Sequence, residues 1–270
     1  MSVSDFARAP IRATPGRAAV ITLGCKVNTF ESAVMAQRLA EDHWTVVDPR
    51  DTADLYVINS CTVTAEADRQ TRQATRRVLR QNPSAQVIVT GCYAQNESAE
   101  CATIPGVSLV LGNDHKLAVA QAARELPRDS RSNQVPVRVD RLSSLPAALL
   151  NGYESRTRAF VQIQQGCDQS CTFCVIHRAR GQSRSFDRQS VLRQIHTFVD
   201  QGYREIVLCG VDLGSYSDLS DHNRPEITSL TRLVQEIAAL PGDFRVRLSS
   251  IDPVHIEDPL LSILAESNRF

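Results

Sequence analysis

Gln86-Val-Ile-Val-Thr-Gly-Cys92 is a short apolar, β-branched run that ends in a turn glycine and a cysteine. A run of this kind, bounded by turn chemistry, reads as a buried strand, here from Gln86 to Val89. Two earlier stretches repeat the pattern: Ala18 to Leu23 leads into Gly24-Cys25, and Leu55 to Ile58 leads through Asn59-Ser60 into Cys61. Helical patterns lie between and after them, at Glu31 to Glu41, Ala65 to Gln81 and Lys116 to Glu125. Such alternation implies βαβ units and an open parallel sheet with covered faces, an α/β fold. In an open α/β sheet the loops beyond the strand C-termini share one edge, where ligands bind. Cys25, Cys61 and Cys92 each sit just past a strand C-terminus and are therefore expected to converge as a three-cysteine centre. The alternative is three small residues chosen for tight turns or burial, since free cysteine is among the most buried residue types. Equivalent placement on three strands favours the centre.

Outward from this core, residues 126–157 are rich in Pro, Ser and Arg and read as a linker, with one short strand at Val135 to Val139. The alternation then restarts. Ala159 to Gln164, Glu205 to Cys209 and Phe244 to Leu248 read as strands, and helices fall near Asp187 to Gln201 and Thr228 to Leu240, with another starting at Pro259 to Glu266. The expected organisation is a disordered tail over 1–17, an α/β domain over 18–125, the linker, and a second α/β domain over 158–270. A transit-peptide reading of the tail rests only on Arg8, Arg12 and Arg17. Three strands do not close an eight-stranded barrel, so the second domain reads as the N-terminal part of an incomplete (βα) barrel and the chain as cut off mid-domain.

The second domain opens on Gln165-Gly-Cys-Asp-Gln-Ser-Cys-Thr-Phe-Cys174, which spaces Cys167, Cys171 and Cys174 as C-x3-C-x2-C. Iron–sulfur cubes are normally held by four cysteines. Three thiolates leave one iron open, which suits a site for a small molecule. A structural zinc with His177 or Asp168 as fourth ligand is the competing reading, but zinc sites usually pair two separated knuckles, and no second pair exists here.

The 270 residues are 42% hydrophobic and 22% charged, as in ordinary soluble domains. There is no apolar run of about 18 residues and no secretory signal. Eight cysteines without a signal peptide suggest reduced thiols in the cytosol. Net charge is zero, so contact with nucleic acid has to come from local patches. Arg69, Arg72, Arg76 and Arg80 form one helical stripe, and Arg178, Arg180, Arg184 and Arg188 follow the second cysteine loop. Such arginines can meet phosphates, although a solvated face is the commoner role for any one of them. No Ser-His-Asp set, Walker-type loop or paired-carboxylate signature is present.

The second triad, with Phe173 just before its last cysteine, resembles the signature of radical S-adenosylmethionine enzymes. Thr22-Leu-Gly-Cys-Lys-Val-Asn28, Asn59-Ser-Cys-Thr-Val-Thr64 and Thr90-Gly-Cys-Tyr-Ala-Gln95 extend the resemblance to the methylthiotransferases. Gly24-Cys-Lys-Val-Asn28, Ala65-Glu-Ala-Asp-Arg69 and Arg180-Gly-Gln-Ser-Arg-Ser185 resemble the branch acting on N6-threonylcarbamoyladenosine in tRNA. The Gly-Cys-Gln-Met-Asn of the isopentenyladenosine branch and the Gly-Cys-Pro-Lys-Asn of the ribosomal-protein branch do not match. The chain departs from the family at His177, where proline is usual, and in lacking the rest of the barrel and the C-terminal RNA-binding barrel.

The resemblance implies two 4Fe–4S clusters, one on Cys167, Cys171 and Cys174 and one on Cys25, Cys61 and Cys92. The first would chelate S-adenosylmethionine and reduce it to methionine and a 5′-deoxyadenosyl radical; the second would carry sulfur, methylated by a second S-adenosylmethionine. The target would be carbon 2 of the modified adenine at position 37, in the tRNA anticodon loop, where a base can be splayed out for reaction. Phe173, Gly210, Asp212 and Ser250 are cofactor-contact candidates, the last three because they follow strands of the second domain. An electron donor such as flavodoxin or ferredoxin and a cytoplasmic location are implied as well. The alternatives are a truncated, non-catalytic iron–sulfur fragment that binds RNA or a partner, and a methylthiotransferase acting on isopentenyladenosine tRNA or a ribosomal protein.

Overall fold

The computed structural model describes residues 16–126, 134–140, 142, 149–153, 157–218 and 228–270. The expected tail, residues 1–17, lies outside the described residues except for its last two, and so does much of the expected linker.

The first sheet holds β1 (Arg17–Thr22), β2 (Thr45–Val46), β3 (Leu55–Ser60), β4 (Gln86–Gly91), β5 (Leu109–Leu111) and β6 (Val137–Arg138). Their order is β2-β1-β3-β4-β5-β6, and every pairing is parallel. Central β3 is buried at all of its positions, which is why Leu55-Tyr-Val-Ile58 carries no polar alternation. The short strand expected within the linker exists as β6, and it pairs with β5 at the sheet edge.

The helices of this half are α1 (Lys26–Glu41), α2 (Ala65–Gln81), α3 (Cys92–Asn96), α4 (Ser98–Ala102) and α5 (Val119–Arg124). Helix α2 has the bounds the sequence implies. Thr64 caps it, accepting from the Ala67 N–H at 3.1 Å, and one stripe of Ala67, Thr71, Ala74, Thr75 and Val78 is buried. Helix α1 starts at Lys26, five residues before the expected Glu31. It lacks the one-sided pattern because it is buried on two sides. Met35 and Leu39 pack on the first sheet, whereas Phe30 and Val34 enter the core of the second half. The expected helix at Lys116 to Glu125 is a 3-10 turn over Lys116–Ala118 that runs into α5.

In the second half, β7 (Arg158–Gln162) is followed by β8 (Gln164–Gln165), α6 (Ile176–Arg180), β9 (Arg184–Ser185), α7 (Arg188–Asp200), β10 (Glu205–Cys209), α8 (Ser229–Ala238), β11 (Arg245–Leu248) and α9 (Asp258–Glu266). Strands β11-β10-β7 form a parallel sheet, and β8 pairs antiparallel with β9. The loop bearing the second triad is thus closed at its base by a two-strand ribbon. Asp187 caps α7 and Thr228 caps α8. Tyr153, just before the second sheet, stacks on Phe198 with 5.6 Å between ring centroids, so the chain is already committed to the second core before β7 begins.

Candidate functional site

Parallel pairing brings three strand ends level. Thr22 lies opposite Asn59, and Ser60 opposite Gly91, so the chain leaves the sheet at Leu23, Cys61 and Cys92 along one edge, with Cys92 opening α3. Gly24 has φ 93°, and a methyl group there would come within 2.6 Å of the Cys61 Sγ. Only glycine permits this approach with that backbone. The Asn28 amide donates to Leu23 O at 2.7 Å and to Ser60 O at 2.9 Å, lacing the first two loops together. Cys61 and Cys92 are 7% and 3% exposed, and Cys25 is exposed. Burial pushes the Cys61 thiol up; the Val63 N–H opposes this, and the charges of Cys92 and Cys25 add to it. The penalty on ionising Cys61 is one that a cationic metal centre reverses. The donor set fits a soft, multinuclear iron centre.

In the second triad the Cys167 N–H donates to Gly181 O at 3.0 Å and the Cys174 N–H to Cys171 O at 3.0 Å, which folds the loop back on itself. Burial raises the Cys167 thiol; the Gln169 N–H opposes this, and the neighbouring charges of Asp212, Cys174 and Cys171 add to it. Cys171 and Cys174 therefore lie near enough to Cys167 to act on its thiol. Asp212 belongs with them: its Oδ2 is 4.0 Å from Cys167 Sγ and accepts from Ser215 Oγ at 2.5 Å. The Asp212 loop is held by Gln164, whose Oε1 accepts from the N–H groups of Val211 and Asp212, both at 2.9 Å. Side-chain space at Gly210 is filled by the same glutamine, 3.0 Å from an added Cβ. Phe173 is 91% exposed. Ser250 is exposed, and it is its neighbour Ser249 that makes the contact at this edge, accepting from Lys26 Nζ at 2.9 Å. The residue after Cys25 therefore touches the C-terminal edge of the second sheet.

A buried polar network, which no local sequence pattern discloses, joins the two triads. Arg180, 1% exposed, follows the second triad on α6 and reaches the first. Its Nε donates to Cys92 Sγ at 3.2 Å, and its terminal nitrogens donate to the Glu31 carboxylate at 2.5 and 2.9 Å and to Asn28 Oδ1. Lys116 meets the same carboxylate, its Nζ 2.5 Å from Glu31 Oε2. Burial and the Arg180 charge lower Lys116 to about 8, against the pull of Glu31. Burial alone would raise Glu31, but Arg180 and Lys116 outweigh it and hold the carboxyl below its ordinary value.

The second arginine set is accordingly not a phosphate-facing stripe. Arg180 is interior, Arg184 donates to Arg180 O at 2.7 Å, and Arg188 pairs with Glu236 at 3.1 Å; Arg178 is exposed. On α2, Arg69 pairs with Glu66 and Arg72 with Glu100, while Arg76 and Arg80 are exposed. Cys101 and Cys209 are fully interior. Among the described residues no group of three or more His, Cys, Asp or Glu is close enough together to hold a single metal ion. A cube, which spreads its thiolates over three irons, asks for wider spacing than one tetrahedral ion does.

Two family models match the chain. Uncharacterized protein family UPF0004 covers residues 17–112 and the radical SAM superfamily covers residues 161–269. The threonylcarbamoyladenosine tRNA methylthiotransferase MtaB of Bacillus subtilis is 40% identical over 92% of this chain and 54% of its own length. The MtaB of Aquifex aeolicus is 34% identical over 92% and 59%. A tRNA-2-methylthio-N(6)-dimethylallyladenosine synthase of Fusobacterium nucleatum is 28% identical over 94% and 58%. The chain spans a little over half the length of these relatives. Among solved structures, the radical S-adenosylmethionine methyltransferase TsrM of Kitasatospora setae, with cobalamin and a [4Fe-4S] cluster bound, aligns with a TM-score of 0.57 over 93% of this chain and 59% of its own. At 15% identity that likeness concerns the fold alone. No helix among the described residues is long and apolar enough to cross a membrane.

Proposed function

We propose that this chain, whose two halves match UPF0004 and the radical SAM superfamily and whose relatives include the MtaB of Bacillus subtilis, is a radical S-adenosylmethionine methylthiotransferase that installs a methylthio group on carbon 2 of N6-threonylcarbamoyladenosine at position 37 of tRNA. Cys167, Cys171 and Cys174 would hold one 4Fe–4S cluster with S-adenosylmethionine beside it, and Cys25, Cys61 and Cys92 a second. When bound, these groups supply the electron, the radical and the sulfur. The residues of the chain bind and orient. Asn28 and Gly24 draw the first-triad loops together. Gln164 fixes the loop of Gly210 and Asp212 beside Cys167, where that loop would flank the cofactor. Phe173 stands exposed on the second-triad loop, available to a cofactor or a base, and Ser250 lies exposed one residue beyond the Lys26 contact. Electrons would come from a small donor such as flavodoxin or ferredoxin, and the working compartment would be the cytoplasm.

The observation that carries this reading is the meeting of the two halves, each bearing a cysteine triad, through Lys26 on Ser249 and Arg180 on Cys92. The test begins with iron and sulfide content after anaerobic reconstitution. About eight irons per chain, falling to about four in Cys167→Ala, support two cubes, whereas stoichiometric zinc with little iron would end the radical reading. Reconstituted chain, S-adenosylmethionine, reductant and tRNA carrying the threonylcarbamoyl base should then give the methylthio nucleoside on digestion. Product formed only on isopentenyladenosine tRNA or on a ribosomal protein would overturn the substrate assignment. Filled clusters and tRNA binding without product would make the chain a non-catalytic iron–sulfur protein.

A further inference from the structure

Arg180 does more than join two halves. Its guanidinium has five N–H donors in a rigid fork, and the structure aims them at fixed partners. Two point at the Glu31 carboxylate and one at Asn28 Oδ1, and Nε–H lies on Cys92 Sγ at 3.2 Å. Glu31 is held in turn by Lys116 at 2.5 Å, Lys116 donates to Asn113 Oδ1 at 2.8 Å, and Asn113 Nδ2 donates to the carbonyl of Ala179 at 2.7 Å. The ring therefore closes on the residue next to Arg180. Attachment of the two halves already follows from the bonds to Glu31 and Asn28; the Nε–H on sulfur is additional, and it is directed at one residue of the first triad.

We propose that Arg180 is a positioning residue for the first-triad centre, tuning it from the opposite half of the molecule through the N–H bond to the Cys92 sulfur. The proposal rests on the reading that Cys25, Cys61 and Cys92 hold an iron–sulfur cluster. Hydrogen bonds to ligand sulfurs and nearby positive charge set cluster potentials. Both stabilise the more negative, reduced state, so this bond raises the potential. The effect is tied to the second triad by sequence, because Gly181, the next residue, accepts from the Cys167 N–H at 3.0 Å. The loop that braces one triad thus also delivers the donor to the other.

The test uses the full chain with Cys167, Cys171 and Cys174 replaced by alanine, so that iron reports only the first triad. The parent should hold about four irons after anaerobic reconstitution. In Arg180→Gln, Glu31 keeps Lys116, so the fold and the iron should persist. The potential from a redox titration followed by electron paramagnetic resonance should shift to a more negative value, with an altered signal; Arg180→Lys, which keeps the charge but not the fork, should fall between. Full iron with parental potential and spectrum in Arg180→Gln would overturn the proposal. If Arg180→Gln takes up no iron, recovery of iron in Arg180→Lys at a shifted potential supports it. Recovery at the parental potential, or no iron in either variant, reduces Arg180 to a structural tie. A parent without iron would remove the two-cluster reading itself, and this proposal with it.

Discussion

The Lys116 ammonium lies 2.5 Å from the Glu31 carboxylate, with the two side chains 2% and 4% exposed. Arg180 shares the same carboxylate, so one buried anion answers two buried cations. This places excess positive charge beside Cys92, the thiol Arg180 touches. A buried ion pair adds little net stability compared with an apolar pair, but removing one partner leaves an uncompensated charge in a medium that solvates it poorly.

The three members of the network are therefore not equivalent. Glu31→Gln strands two cations and should cost about 3–5 kcal/mol. Lys116→Met leaves the Glu31–Arg180 pair intact and should cost clearly less. Urea midpoints for the two variants give the order, and a Glu31→Gln midpoint equal to that of Lys116→Met would contradict it.

The same carboxylate predicts an acid limb. Glu31 titrates below its ordinary value of 4.5 in the folded chain, because Arg180 and Lys116 outweigh its burial. A depressed folded value means that the unfolded chain binds the proton first as pH falls. The stabilisation is thus complete above about pH 4.5 and is lost as pH drops through the lower, folded value. Unfolding free energies measured across that window should fall less steeply for Glu31→Gln than for the parent. Parallel curves would mean that the charge on Glu31 does not support the fold.

How far the sequence discloses this site depends on which physical signal each part leaves. The placement of the six cysteines is legible because three share a fixed C-x3-C-x2-C spacing and three follow strand ends. Helix α2 is legible to the residue because it buries one stripe and carries a capping threonine. Helix α1 is not, since burial against both cores erases the polar face that a period search needs. The network escapes for a related reason. Glu31 and Lys116 look like surface charges, and nothing local says that Arg180, 149 residues from Glu31, closes on it. The hint available is Glu31 set between Phe30 and Val34 on a helix whose first turn carries Asn28. Strand β5, three residues long, is too short for any periodicity.

Gly24 offers a local test of the first triad. An alanine there would take on a φ of 93° and place its methyl 2.6 Å from Cys61 Sγ. The left-handed backbone alone costs about 1–2 kcal/mol for a residue with a Cβ, and the clash must open the gap between the Cys25 and Cys61 loops. Gly24→Ala should keep the second-triad cluster and lose the first, so iron should drop from about eight to about four per chain. Full iron in a folded Gly24→Ala chain would show that this close approach is not needed.

Thiol reactivity separates the proposed ligand cysteines from the core cysteines by a route independent of iron. The thiolate is the nucleophile, so both access and ionisation govern alkylation. Burial, reinforced by the charges of Glu100 and Asp68, pushes Cys101 up to about 12. Burial likewise drives Cys209 upward, with Cys25 and Glu31 adding to it. Cys25 and Cys171 are exposed. Brief iodoacetamide treatment of the iron-free, reduced chain at neutral pH, mapped by peptide mass spectrometry, should label Cys25 and Cys171 first and Cys101 and Cys209 last. Reconstitution should then protect Cys25 and Cys171 without changing the two interior thiols, because metal ligation removes the free sulfur lone pair that attacks the reagent. Protection of Cys101 or Cys209 on reconstitution would place the iron elsewhere than on the two triads.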